Sequence, residues 1–301
     1  MTPVPSTNTN GAADPTLGGA QQPGVATRAV ALVAAVSAVV GVVVGLLVWL
    51  LLAGPVVALL LAVVVAAAVA ALTWWGSEAL ILRLVGASPA DPIAHARLFN
   101  LVEGLGAGAG VAPPTLLVVA DPALNAMTIG RSPRQATLIV TSGLLEQLNR
   151  VELEGVLAHE LSHVRSDDVL SATLAVTLFG LWARPARAAA ASGPSAMAAT
   201  LLVPICALAG LGLQKAVAPN REQQADAAGV RLTRYPPGMV SALEKVRRSG
   251  SVLGGGGASP ATAHLWLCAP VPPPGGRLAW LSRLYETHPR PAERIEALRE
   301  L

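Results

Sequence analysis

His159-Glu160-Leu161-Ser162-His163 has the residue types and spacing of a zinc-hydrolase site. On a helix, residues i and i+4 share one face, so two imidazoles reach one ion while the Glu lies beside them. A catalytic zinc takes three protein ligands and keeps a fourth position for water, and the intervening Glu serves as that water's base. The competing reading is two surface histidines that happen to flank a Glu, in a chain with only five His. The best candidate for a third ligand is Glu222, in Arg221-Glu222-Gln223-Gln224-Ala225-Asp226. Asp226 lies four residues on, where it can accept a hydrogen bond from a ligand imidazole and fix its tautomer. Taken alone, the same stretch also reads as a solvated acidic face near a positive helix end.

These residues need a helix to carry them, and the sequence provides its signals. Asn149-Arg150-Val151-Glu152 has the form of a capping box, followed by an apolar stripe at Val151, Leu153, Val156, Leu157, Leu161 and Val164. Gly155 costs that helix about 1 kcal/mol relative to Ala and favours close packing. Upstream, residues 116–120 and 136–141 read as short strands, with 125–130 extended between them. Residues 143–149 give a helical turn, and 91–105 a surface helix ending in a loop over Gly106-Ala107-Gly108-Ala109-Gly110. His95 reads as an ordinary exposed residue and His264 as a strand or loop residue without a role. His288 precedes a closing helix, either as a structural element of its entry or as a donor to the oxyanion of a tetrahedral intermediate. Spacing alone does not choose between the two.

The composition is that of a membrane protein: 53% hydrophobic, 13% charged, mean hydropathy +0.56 over 301 residues. Residues 1–27 read as a disordered tail. Residues 29–53 and 56–75 are apolar runs long enough to cross a bilayer core of about 30 Å, so 28–76 is predicted to be an uncleaved transmembrane hairpin. Trp49, Trp74 and Trp75 sit near the span ends, as interfacial anchors do. Two further apolar runs, 169–183 and 196–213, form a second hydrophobic hairpin that spans the bilayer or lies against it. Arg28, Arg83, Arg97, Arg165, Lys215 and Arg221 fall on one side of the spans and only Arg184 and Arg187 on the other, which favours a cytoplasmic catalytic domain in the cell membrane. A net charge of +3 without a basic block gives nucleic-acid binding no support. Cys206 and Cys268, the two cysteines, make neither a disulfide framework nor a thiolate zinc site.

From about Asp91 to the C-terminus the chain resembles the HtpX-type membrane metalloproteases, relatives of the CAAX prenyl endopeptidases. Four motifs in the same order carry the resemblance: Asn125-Ala126-Met127-Thr128-Ile129-Gly130, similar to Asn-Ala-Phe-Ala-x-Gly; the His-Glu-x-x-His at His159; Arg221-Glu222-x-x-Ala225-Asp226; and Thr287-His288-Pro289 with Arg294. The fold this implies is a mainly α membrane protein with a small β-sheet: the N-terminal hairpin, then a gluzincin-type zinc metalloprotease domain over 77–301, interrupted by the hydrophobic hairpin 169–213. The resemblance implies one Zn²⁺ held by His159, His163 and Glu222, with Glu160 as base and Asp226 and Asp168 in support. It further implies that His288 and Arg294 assist at the transition state, and that Asn125, Ala126 and Met127 offer a backbone edge to a substrate strand. Met127 stands where the family has Phe, and the Gly-rich stretch before Thr262 has no counterpart. The implied activity is endopeptidase cleavage of cytoplasmic or membrane proteins in quality control and stress response, with broad specificity from strand addition. Two alternatives stand beside it. An intramembrane protease is disfavoured by Glu152, Glu154, Arg165, Asp167 and Asp168 around the motif; a non-catalytic membrane scaffold would retain the metal site.

Overall fold

The structure is a computed structural model that describes residues 25–51, 54–166, 168–176, 221–254, 262–269 and 289–301. Most of the expected tail, most of the second hydrophobic hairpin, Asp167, Cys206 and His288 lie outside the described residues. The described part is mostly helical with one small mixed sheet.

Two long apolar helices open it, α1 (Val25–Leu51) and α2 (Pro55–Val85). Gly54 caps α2, and Pro55 at its first position needs no hydrogen-bond partner for its nitrogen. The two helices pack closely through small residues: a Cβ on Gly45 would stand 2.8 Å from that of Ala62. Their outer faces are bare, with Leu50, Val56, Leu59 and Trp75 exposed. Past Trp75, α2 continues to Val85 instead of ending where hydropathy falls. The reason is burial, because Ile81 and Val85 pack under the sheet.

The sheet has the order β1-β2-β4-β3, formed by Ser88–Pro89 (β1), Thr115–Val119 (β2), Ala126–Gly130 (β3) and Ala136–Thr141 (β4). β2 and β4 are parallel and the other pairs antiparallel. Period-two alternation divides it cleanly. Leu116, Val118, Ala126, Leu138 and Val140 face one hydrophobic core, and Leu117, Val119, Met127, Ile129 and Ile139 face the other. Both faces are therefore covered.

The first face lies against α3 (Ala96–Ala109) and α5 (Arg150–Ser166), with the short α4 (Ser142–Gln147) before α5. The capping box is formed in full: Glu152 N donates to Asn149 Oδ1 at 3.0 Å, and Asn149 N donates to Glu152 Oε2 at 2.8 Å. α3 differs from the sequence expectation at both ends. Asp91 Oδ1 accepts from the amides of Ile93 and Ala94 and holds a separate turn, so the helix starts only at Ala96. The Gly-Ala run expected as a loop is helical to Ala109, and Gly110 closes it at φ 68°. Gly108 is packed there, since a Cβ would stand 3.3 Å from Leu232 Cδ1.

After Asp168, residues 169–176 are helical. Leu170, Leu174 and Ala175 join Val33, Val36 and Val40 of α1, while Ala172 and Val176 join the second face of the sheet. Three helices complete the described chain: α6 (Arg221–Thr233), α7 (Pro236–Ser249) and α8 (Pro291–Arg299). α7 crosses α5 at Gly155, where a Cβ would stand 2.8 Å from Met239 N. That glycine thus admits a neighbouring helix one turn before His159.

Candidate active site

α5 presents His159 and His163 on one face and turns Glu160 toward β3; all three are buried. α6 lies directly against this face. A Cβ on Gly229 would stand 2.9 Å from His159 N, so α6 reaches α5 only because that position is glycine. Ser162 sits at the contact, its hydroxyl donating at 2.6 Å to His159 O and standing 3.3 Å from Ala225 O. The approach brings Glu222 to the imidazoles, with Oε2 3.5 Å from His159 Nε2 and Oε1 3.7 Å from His163 Nε2. One ligand atom from each of the three residues lies within 4.8 Å of the others.

The far side of each imidazole explains its orientation. His159 Nδ1 lies 2.8 Å from Asp226 Oδ1, and His163 Nδ1 lies 3.0 Å from Asp168 Oδ2. A neutral imidazole that donates from Nδ1 carries its lone pair on Nε2. The two Nε2 atoms stand 3.2 Å apart, with Glu222 beside them. Two lone pairs and a carboxylate turned onto one point repel each other unless a cation lies between them. The donor set therefore fits a metal ion: two nitrogens, one carboxylate and a carboxylate partner behind each ring. Burial lowers the pKa of His159, but the charge of Asp226 and hydrogen bonds to Asp226 and Glu222 outweigh it and raise it to about 9, so a metal ion at Nε2 competes with a proton for the same lone pair.

Each supporting Asp is in turn held by an arginine. Arg294 is fully buried and spans Asp226 with two bonds of 2.7 Å, donating a third of 2.7 Å to Leu267 O. Arg221 Nε lies 3.1 Å from Asp168 Oδ2. Burial raises the carboxyl pKa of both Asp residues, yet Arg294 and His159 on one, and Arg221 and His163 on the other, hold them below the usual range. The Arg294 guanidinium stands behind His159 and Asp226, and its second terminal nitrogen lies 3.5 Å from Glu222 Oε2, so it borders the candidate ligand set while holding Asp226.

The β3 edge also differs from the expectation. β3 is the outer strand of the sheet, but its free side is covered by the chain itself. Met127 bridges Trp266, Leu267 N donates to Ala126 O at 2.8 Å, and Asn125 Nδ2 donates to Cys268 O at 2.8 Å. Asn125, Ala126 and Met127 are fully buried. An open strand edge leaves amides and carbonyls unpaired, and residues 266–268 satisfy them. His264 anchors this segment, its Nε2 2.9 Å from Ala172 O. His95 precedes α3, its Nδ1 accepting from Asp91 N at 3.1 Å. Cys268 is buried and unbridged, and burial pushes its thiol up to about 11.

Two residues here were not singled out by spacing. Arg221 carries a visible signal, the basic residue that opens the Arg-Glu-x-x-Ala-Asp motif. Thr128 carries a subtler one, a hydroxyl where the family pattern has Ala. Its Oγ1 donates to Glu160 Oε2 at 2.7 Å.

Comparison with known proteins agrees with this geometry. The model of peptidase family M48 matches residues 92–301. The chain is 34% identical over 245 residues to a protease HtpX homolog of Thermococcus sibiricus, covering 76% of this chain and 82% of that protein. It is 35% identical over 240 residues to a protease HtpX homolog of Desulfatibacillum aliphaticivorans, covering 75% of each. A protease HtpX homolog of Salinibacter ruber is 32% identical over 233 residues, 76% of this chain and 83% of that protein. No solved structure matches the chain.

Proposed function

The chain belongs to peptidase family M48, among its HtpX-type members, and from that premise we propose that it is a membrane-anchored zinc endopeptidase acting on cytoplasmic or membrane proteins in quality control. One observation carries the reading: two Nε2 atoms 3.2 Å apart, each imidazole backed by a carboxylate, with Glu222 closing the set and Glu160 alongside. His159, His163 and Glu222 are the ligands of one Zn²⁺. Bound there, the ion supplies Lewis-acid polarisation of the scissile carbonyl and a lowered pKa for the attacking water.

The residues of the chain do the rest. Glu160 takes the proton of the attacking water and returns it to the leaving amine. Asp226 and Asp168 hold the imidazoles in the tautomer that binds metal, and Arg294 and Arg221 keep those two carboxylates ionised. Residues 28–76 anchor the protein in the cell membrane, and 77–301 form the gluzincin-type protease domain with the hydrophobic hairpin 169–213 inserted. The bare apolar faces of α1 and α2 support this anchoring, and the arginine bias supports a cytoplasmic catalytic side.

The test is Glu160→Gln. The amide keeps the shape of Glu but cannot take a proton, so casein cleavage in detergent should fall by about 10²–10⁴ with zinc content unchanged. Equal cleavage by variant and parent would remove the mechanism.

A further inference from the structure

Thr128 is the one side chain from the sheet that reaches the general base among the described residues. It lies on β3, on the face shared with Ala126 that turns toward α5, and is 2% exposed; Glu160 is 1% exposed. Its Oγ1 stands 2.7 Å from Glu160 Oε2 and 3.5 Å from the Glu160 backbone oxygen. A hydroxyl has a single proton, and the short contact gives it to the carboxylate. The motif pattern Asn-Ala-Phe-Ala-x-Gly has Ala here, which has no hydroxyl, so the contact belongs to this chain's own sequence.

We propose that Thr128 is a positioning residue for the reaction, holding Oε2 of Glu160 and so leaving Oε1 as the oxygen that takes the water's proton. The inference rests on the reading of Glu160 as base. A carboxylate on two methylenes rotates about three bonds, and each non-productive rotamer subtracts from the population able to react. The rigid strand fixes the hydroxyl, and the hydroxyl fixes the carboxylate. Thr128 keeps its own proton throughout: the water's proton moves to Oε1 and then to the leaving amine. A hydrogen bond to an ionised group is the strong kind, so its loss is measurable.

The experiment uses the full-length protein in detergent with three variants. Thr128→Val keeps the side-chain shape and removes the hydroxyl; Thr128→Ala removes it with no added bulk and matches the family pattern, which guards against a folding defect in the first. Both should lower kcat by about 10- to 100-fold, with KM changed by less than about twofold and zinc content unchanged. Thr128→Ser should recover most of the loss. In the Glu160→Gln background, adding Thr128→Val should leave the Kd for a fluorescent casein peptide unchanged, because the hydroxyl then has no base to position. Parental kcat in Thr128→Ala, a Ser variant as impaired as the Val variant, or a weakened Kd in the double variant would overturn the proposal. An active Glu160→Gln protein would instead overturn the reading beneath it.

Discussion

His159 and His163 are each the first member of a line that runs from imidazole to carboxylate to guanidinium, through Asp226 to Arg294 and through Asp168 to Arg221. The lines differ in depth, since Arg294 is wholly buried and Arg221 partly open. Replacing Arg294 by Leu leaves Asp226 as a buried charge without its counter-ion, a loss of about 3–5 kcal/mol when one partner of a buried pair is removed. We therefore expect Arg294→Leu to melt well below the parent even with metal stripped from both, whereas an arginine serving only the transition state would leave the melting point of the metal-free protein alone. Glu222→Ala should act on a different observable, sharply weakening zinc retention in elemental analysis at near-parental metal-free stability; full, tight stoichiometric zinc in that variant would exclude Glu222 from the site. Much of this arrangement is legible in the sequence, because i, i+4 spacing on a helix dictates who shares a face. The direction of Arg294 and the reach of Thr128 are not, since each depends on how separate elements pack.

At the scale of elements, α5 is fixed at its start as firmly as at its ligands. Glu152 closes the capping box, accepts from Ser241 Oγ at 2.7 Å and pairs with Lys245 Nζ at 2.7 Å, tying α5 to α7. Burial raises the Glu152 pKa, but bonds from Lys245, Ser241 and Asn149 outweigh it and hold it below its ordinary 4.5. A depressed carboxyl pKa contributes stability that is present above 4.5 and lost as pH falls through the folded value. Glu152→Gln should accordingly destabilise at pH 7, by about 1–2 kcal/mol, and the gap from the parent should narrow on acidification; melting curves in detergent at pH 7 and pH 4 test it, and a gap constant with pH would refute the linkage. The capping box could be read from four residues because its partners are local. The Gly-Ala run at the end of α3 reads as a loop in sequence for the converse reason: composition signals a breaker, but the approach of Leu232 and burial of Leu101 and Leu105 decide in favour of helix.

The molecule as a whole joins an apolar helix pair to the sheet by two routes. α2 runs without a break from its bare apolar surface to Ile81 and Val85 under the sheet, and Glu78 on it meets Thr137 Oγ1 at 3.4 Å and Arg131 Nε at 3.8 Å. Residues 169–176, directly after Asp168, pack α1 on one side and the sheet on the other, and Thr173 Oγ1 accepts from Gly130 N at 3.0 Å. Hydropathy gives the apolar stretch of α2 but not its end, because charge on a helix marks the return to water and not the return to coil. From Pro55 to Trp75 the rise is about 30 Å at 1.5 Å per residue, which matches a bilayer core. Glu78 and Arg83 then lie just outside it, on the side of the sheet. In the proposed topology two crossings would place residue 25 on that side as well, and the arginine bias favours the cytoplasm. Reporter fusions should be joined after Gly86, beyond the helix, and at the C-terminus, and both should give cytoplasmic activity with the N-terminus uncleaved. Because the sheet and the end of α2 share one core, the first fusion and the catalytic domain cannot occupy opposite sides. An external signal from both would invert the topology and leave the packing intact, while opposite signals from the two would overturn the packing itself, since α6 and α8 share one core with the sheet and α5.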